Sequence, residues 1–202
     1  MDQISEAIDN HIQMNTNGAL LLTGNWGSGK TYYIKNTIFP KLKSNGDLIP
    51  IMVSLYGESD RNSVAQKVIF AYLDQNGDNS MTMGRIAKWM KQISEYSPYL
   101  KKYVDLEKII NGNSESIFRF LPHSKLIIFF DDLERKSKKL SVDDLFGLIN
   151  DLTENYKCKV VLIANEEEIE NGISFKEKTV EKTIHYIPNN KEEKKFIKLL
   201  DK

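Results

Sequence analysis

Ala19-Leu20-Leu21-Leu22-Thr23-Gly24-Asn25-Trp26-Gly27-Ser28-Gly29-Lys30-Thr31 is the stretch on which the reading of this chain turns. Its apolar start predicts a buried strand. Directly after it comes glycine, four residues, then glycine-lysine-threonine, ahead of a helix expected from Tyr32 to Lys43. Strand, glycine-rich loop and helix in that order form the context in which such a pattern cradles the phosphates of a nucleotide. A polyphosphate needs several N–H donors converging on it, and a chain wraps that closely only where side chains are missing, as at Gly24, Gly27 and Gly29. The following helix adds its unpaired N–H groups and positive dipole end. The nucleotide-binding candidates are therefore Asn25, Trp26, Gly27, Ser28, Gly29, Lys30, Thr31 and Tyr32. Lys30 is placed to reach the β and γ phosphates, and the Thr31 hydroxyl to ligate a Mg²⁺ that bridges them. The plainer alternative is a glycine-rich turn before an ordinary helix.

A second landmark lies about a hundred residues on, at Leu126-Ile127-Ile128-Phe129-Phe130-Asp131-Asp132-Leu133-Glu134-Arg135. Five apolar residues predict a strand buried on both faces. Two carboxylates follow at its carboxyl end, where parallel α/β sheets place their ligand sites. Asp131 suits the Mg²⁺ shell, and Asp132 suits a base or orienting group for an attacking water. An apolar run ending in two aspartates is weak evidence alone and strong evidence beside the glycine-rich loop.

The remaining elements read as one α/β domain over residues 1–188. Ile4, Ile8 and Ile12 mark a short leading helix, with Ile4, Ile8 or His11 as candidates for an adenine contact and core packing as the alternative. Leu48 to Leu55 reads as a buried strand with Pro50 near its start, and a helix follows with Val64, Val68, Ala71 and Tyr72 on one face. Residues 80–124 read as a helical insert, with Ile86, Trp89, Met90 and Ile93 on one helix and Tyr103, Val104, Leu106, Ile109 and Ile110 on another. Ser141 opens a further helix in the manner of a capping box, with Leu145, Leu148, Ile149 and Leu152 inward. Lys159 to Asn165 is another buried strand, and Glu166-Glu167-Glu168 a solvated helix start. Glu181 to Pro188 is a last short strand, and residues 189–202 begin a further helical region that reads as cut short. The expected architecture is a three-layer fold around a parallel five-stranded sheet of order 5-1-4-3-2.

Composition narrows the function. The chain has 202 residues, 28 Lys and Arg against 28 Asp and Glu, and a single cysteine, Cys158. Balanced charge removes any global pull toward nucleic acid or an anionic membrane. One cysteine excludes an internal disulfide, and its apolar setting favours a buried structural thiol. No run approaches the ~18 apolar residues of a membrane span, and the start lacks the basic residues of a secretion signal. Together these read as a soluble cytoplasmic protein. Lys136-Ser137-Lys138-Lys139 is a basic cluster without the interleaved aromatics that stack bases, so the nucleic-acid signal is weak.

The loop Asn25-Trp26-Gly27-Ser28-Gly29-Lys30-Thr31 and the element Asp131-Asp132-Leu133-Glu134-Arg135 together resemble the KAP family of phosphate-loop NTPases, related to the STAND and AAA+ groups. Trp26 and Arg135 make the likeness specific. It spans roughly Ala19 to Pro188 and includes Phe175-Lys176-Glu177-Lys178 through Tyr186-Ile187-Pro188, similar to the stretch before the family's helical lid. Glu134 stands where an aspartate is commoner. Many relatives carry membrane helices in the core domain, and this chain has none.

The resemblance implies ATP with Mg²⁺, and a bacterial setting in which several members act against phage or mobile elements. It implies hydrolysis by in-line attack of a water held by Asp132 and Asn165, with Lys30 and Mg²⁺ offsetting the charge that develops. In ATPases of the additional-strand type, the position of Asn165 carries a sensor for the γ-phosphate. Only four arginines exist, Arg61, Arg85, Arg119 and Arg135. Arg135 lies nearest the site, as a catalytic arginine or as a tie for the Asp131 loop. Lys178 and Lys182 are weaker candidates for sensing a neighbour's nucleotide. The leading expectation is an ATPase domain that self-associates or serves a C-terminal effector region. Alternatives are a signalling switch with little turnover, a DNA-associated ATPase and a small-molecule kinase.

Overall fold

The computed structural model describes residues 2–44, 47–74, 118, 121–169 and 179–188. The helices expected at Ile86 to Ile93 and Tyr103 to Ile110, the helix expected within 189–202, and Arg85, Arg119 and Lys178 lie outside the described residues.

Among the described residues five strands form: β1 (Ala19–Thr23), β2 (Ile49–Ser54), β3 (Leu126–Asp131), β4 (Lys159–Ala164) and β5 (Val180–His185). They lie in the order β2-β3-β4-β1-β5, with every neighbouring pair parallel. This is the expected 5-1-4-3-2 arrangement. Its order follows from burial. Every residue of β1 and β3, and all but the first of β4, is buried, so these apolar runs take the centre, where helices cover both faces. Strand β5 exposes Glu181, Lys182 and His185 and forms one edge. Strand β2 forms the other edge, which tolerates the missing N–H of Pro50.

The helices are α1 (Gln3–Gln13), α2 (Lys30–Tyr33), α3 (Phe39–Ser44), α4 (Arg61–Leu73) and α5 (Val142–Asn150). Alternation along the strands divides the core into two layers. Leu20, Leu22, Phe129 and Ile163 pack with Ile8, Tyr33, Ile34 and Leu42 of the α1 to α3 side. Leu21, Ile128, Phe130 and Leu162 pack with Val64, Val68, Leu145 and Ile149 of α4 and α5. Each fully buried side chain of this size contributes about 1.5–3 kcal/mol.

Three local features differ from the sequence reading. The helix expected from Tyr32 to Lys43 contains a π turn, Ile34–Ile38, between α2 and α3. Pro40 supplies the reason, since its ring would clash with the Asn36 carbonyl in a regular helix and widening the turn relieves that contact. Glu166-Glu167-Glu168 closes as one 3-10 turn and not as a helix start. The Ser141 box is also altered: Ser141 Oγ accepts from the Asp144 N–H at 2.9 Å, but the Asp144 carboxylate returns to the Ser141 hydroxyl at 2.6 Å.

On α1, Ile8 is fully buried in the core and His11 Nε2 lies 3.1 Å from the Val160 carbonyl, so both belong to packing rather than to an adenine contact. Burial pushes the Cys158 thiol up to about 12, as expected of a structural cysteine.

Candidate functional site

Because the sheet is parallel, the carboxyl ends of β1, β3 and β4 open on one side, and the loops that leave them enclose a cleft of about 630 Å³. That is the size of a small-molecule site. Its phosphate-loop wall is Trp26, Gly27, Gly29, Lys30, Thr31 and Tyr32, and its opposite wall is Asp131, Asp132, Glu134 and Arg135.

Two glycines make the loop possible. Gly29 caps α2 in the left-handed region at φ 94°, which a side chain disfavours. Gly24 runs against the chain beyond β5, where an added Cβ would stand 3.1 Å from the Tyr186 carbonyl oxygen. Tyr186 itself is buried and donates its N–H to the Thr23 carbonyl at 2.7 Å. The loop is thus backed by a residue from the far end of the fold.

Lys30 folds back over the loop. Its ammonium donates to the carbonyls of Gly24 at 2.5 Å and Asn25 at 2.9 Å, leaving one of its three N–H donors for a ligand. Burial pulls its pKa below the usual lysine value, opposed by the charges of Glu134, Asp131 and Asp132.

Across the cleft, the Thr31 hydroxyl donates to Asp131 Oδ2 at 2.7 Å, and Asp131 Oδ1 accepts the Asp132 N–H at 3.0 Å. Burial pushes the Asp131 carboxyl above the usual carboxylate range. The charges of Asp132 and Glu134 add to this, and the two hydrogen bonds oppose it. A carboxylate held so is a site for a cation. Among the described residues no three His, Cys, Asp or Glu side chains cluster as a metal cage. The donor set suits Mg²⁺, which keeps most of its waters and takes one or two protein ligands beside substrate phosphates. A buried Ser28 hydroxyl without a partner adds a polar group to the same loop. The residues present therefore fit a Mg²⁺-bound polyphosphate.

Asp132 occupies a left-handed conformation, φ 59°, rare for a residue with a side chain and found where surrounding contacts enforce it. Ser54 Oγ donates to its Oδ2 at 2.8 Å, and Arg135 Nη1 lies 3.5 Å from its Oδ1. The Arg135 guanidinium also sits 4.3 Å from the Tyr56 ring centroid. Asn165 is buried after β4, its backbone N–H donating to Glu134 Oε2 at 3.2 Å. The β4 wall of the cleft is Ile163 and Ala164, and Asn165, Asn25 and Ser28 are not among its lining residues. Lys182 lies on the outer edge strand β5.

The sequence reading missed Ser54, Glu134 as a contact residue, and Tyr186. Strand order offers a signal for Ser54, because β2 neighbours β3 and its last residue must lie beside Asp131. No local pattern marks the other two.

A family model described as the KAP family P-loop domain matches residues 1–202. No curated protein matches the chain. Among solved structures, PCH-2 of C. elegans is similar at 14% identity and a TM-score of 0.48, over 93% of this chain and 43% of that one. The chain thus spans less than half the length of that structure. No described helix is long and apolar enough to cross a membrane.

Proposed function

Because the chain belongs to the KAP family of P-loop domains, we propose that it binds Mg-ATP and hydrolyses the β–γ phosphoanhydride bond as the nucleotide-dependent part of a larger protein. The observation that carries this reading is the pair of arrangements facing each other across one cleft. On one side Lys30 is hooked to the Gly24 and Asn25 carbonyls, and Thr31 reaches from that side to Asp131 on the other, with Asp132 next along.

In this reading the loop N–H groups and the remaining Lys30 donor bind the β and γ phosphates. Thr31 and Asp131 hold Mg²⁺, which when bound supplies positive charge to the phosphate oxygens. Asp132 orients the water and accepts its proton as the oxygen attacks the γ-phosphorus in line with the leaving ADP oxygen. Arg135, tied to Asp132 and Tyr56, acts by holding that loop. Asn165 acts through its backbone contact with Glu134.

One observation favours a second reading, a nucleotide-dependent switch with little turnover. Both oxygens of Asp132 already have partners, Ser54 and Arg135, and a carboxylate so engaged is a restrained base. The third expectation, a DNA-bound ATPase, is weakened further, since Lys136 of the basic cluster donates its ammonium to the Leu140 carbonyl at 2.6 Å. A soluble cytoplasmic setting belongs to the proposal on the strength of the composition alone, and a role in antiviral defence on the strength of the family likeness alone.

The test is Mg-ATP turnover measured with an ATP-binding titration over a hundredfold range of protein concentration. Turnover per chain that rises with concentration supports hydrolysis completed by self-association. Binding without turnover supports the switch, and absence of binding refutes both.

A further inference from the structure

Glu134 is the one acidic residue of the Asp131–Arg135 stretch to which phosphate and metal chemistry give no task. Its carboxylate nevertheless spans two loops. Oε1 accepts from the Trp26 indole N–H at 2.7 Å, and Oε2 accepts from the Asn165 backbone N–H at 3.2 Å. Trp26 belongs to the phosphate loop, Asn165 follows β4, and Glu134 sits in the 3-10 turn Leu133–Arg135 after β3. One side chain therefore ties together the three loops that frame the cleft.

The character of Trp26 sharpens the point. It is 61% exposed, so packing does little to orient it, and the charge-assisted bond to Glu134 fixes where the indole lies. The β4 end is held from its other side as well, because the Glu166 N–H donates to Thr23 Oγ1 at 3.1 Å at the root of the phosphate loop. Side-chain length matters too. Glutamate reaches both donors from this turn, whereas aspartate is one methylene shorter and loses at least one.

We infer that Glu134 is a positioning residue for the proposed hydrolysis: through Trp26 and Asn165 it sets the separation of the phosphate loop from the β4 end, and so the geometry of the γ-phosphate and its attacking water. The inference rests on the hydrolytic reading above. A clamp of this kind governs turnover more than ground-state binding, since misplacement of reacting groups is felt in the transition state.

The test compares kcat, KM and melting temperature for wild type, Glu134→Gln, Glu134→Asp, Trp26→Phe and the Trp26→Phe/Glu134→Gln double variant. Glutamine keeps the acceptor for Trp26 but loses the charge and presents an NH₂ group where Oε2 accepts from Asn165, so kcat should fall about tenfold, the size of one charge-assisted bond. KM should stay within about threefold, and the melting temperature should fall by no more than about 4 °C, because the Trp26 bond is exposed and the Asn165 bond only partly buried. Glu134→Asp should lose as much as Glu134→Gln. Trp26→Phe should lower kcat similarly, and the double variant should be no worse than Glu134→Gln alone, because both changes break the same bridge. Wild-type turnover in every variant, losses that multiply in the double variant, or losses confined to KM would overturn the inference and leave the hydrolytic reading intact. A wild type that binds or hydrolyses no ATP overturns the hydrolytic reading, and the positioning role with it.

Discussion

Replacing Lys30 with methionine keeps the length and apolar stem of the side chain and removes its charge. Two of the three ammonium donors are spent on the Gly24 and Asn25 carbonyls, so the ligand is served by one donor and by the charge itself. A hydrogen bond to a charged group is worth about 1.5–3 kcal/mol. Two unit charges at ~4 Å interact by about 4 kcal/mol at an effective dielectric near 20, and this overlaps with the hydrogen bond rather than adding to it. A loss of about 3–4 kcal/mol corresponds to ATP binding weakened on the order of a hundredfold to a thousandfold. The fold should suffer less. Two such bonds are lost and the burial of a cation is relieved, leaving a net loss of about 2 kcal/mol, so the melting temperature should fall by about 4–8 °C. Titration calorimetry with Mg-ATP and a thermal melt of the same samples give both numbers. Affinity within about threefold of wild type would refute the assignment of Lys30 to the phosphates. A collapse of the melting temperature would show that its main task is to hold the loop together.

Asp132→Asn should leave ATP affinity nearly unchanged and slow turnover by about 10²–10⁴-fold, the usual worth of a positioned base; normal turnover would remove Asp132 from the mechanism. Gly24→Ala forces a methyl group to within 3.1 Å of the Tyr186 carbonyl, whereas Gly27→Ala meets no atom within 4 Å and strains only its φ of 71°. Urea denaturation should show about 1–3 kcal/mol lost at Gly24 beyond a backbone cost of about 1 kcal/mol common to such sites. Equal losses would mean that Tyr186 does not back the loop. Burial first of all raises the Asp131 carboxyl above the usual range, so its contribution to stability is present below the ordinary carboxylate value and lost as pH rises through the raised one. Asp131→Asn never ionises, so its melting temperature should gain on wild type as pH rises above about 4 in metal-free buffer, while the extra stabilisation by Mg-ATP over ATP disappears. A pH-independent difference would place the carboxylate in solvent.

The parts of the fold that were legible in the sequence are those written in local pattern. Leu20 to Leu22, Ile127 to Phe130 and Val160 to Ile163 are continuous apolar runs, and only a parallel sheet covered on both faces buries such runs throughout. Lys30, Thr31 and Asp131 were legible because two patterns distant in sequence share one chemistry, and the Thr31–Asp131 bond joins them. Contacts across the fold were not legible. The reach of Glu134 to Trp26 depends on how far apart two loops stand, and the partner of Ser54 depends on strand neighbours. Gly147 lies in the middle of α5. It leaves room for Arg61, whose Nη1 lies 2.9 Å from where its Cβ would stand and whose guanidinium pairs with Asp151.

Tyr186 gives the phosphate loop a mechanical connection. The peptide that leaves β5 lies against Gly24 on one side and is bonded to Thr23 on the other, so the loop cannot widen without moving the chain that leads to Pro188. Such a joint works in both directions. Free energy released when the loop grips a ligand is available as displacement of the outgoing chain, and tension on that chain is returned as a change in grip, in equal measure. Under the proposed reading, the grip of the loop on a nucleotide and the position of the chain leaving β5 are therefore one coupled quantity.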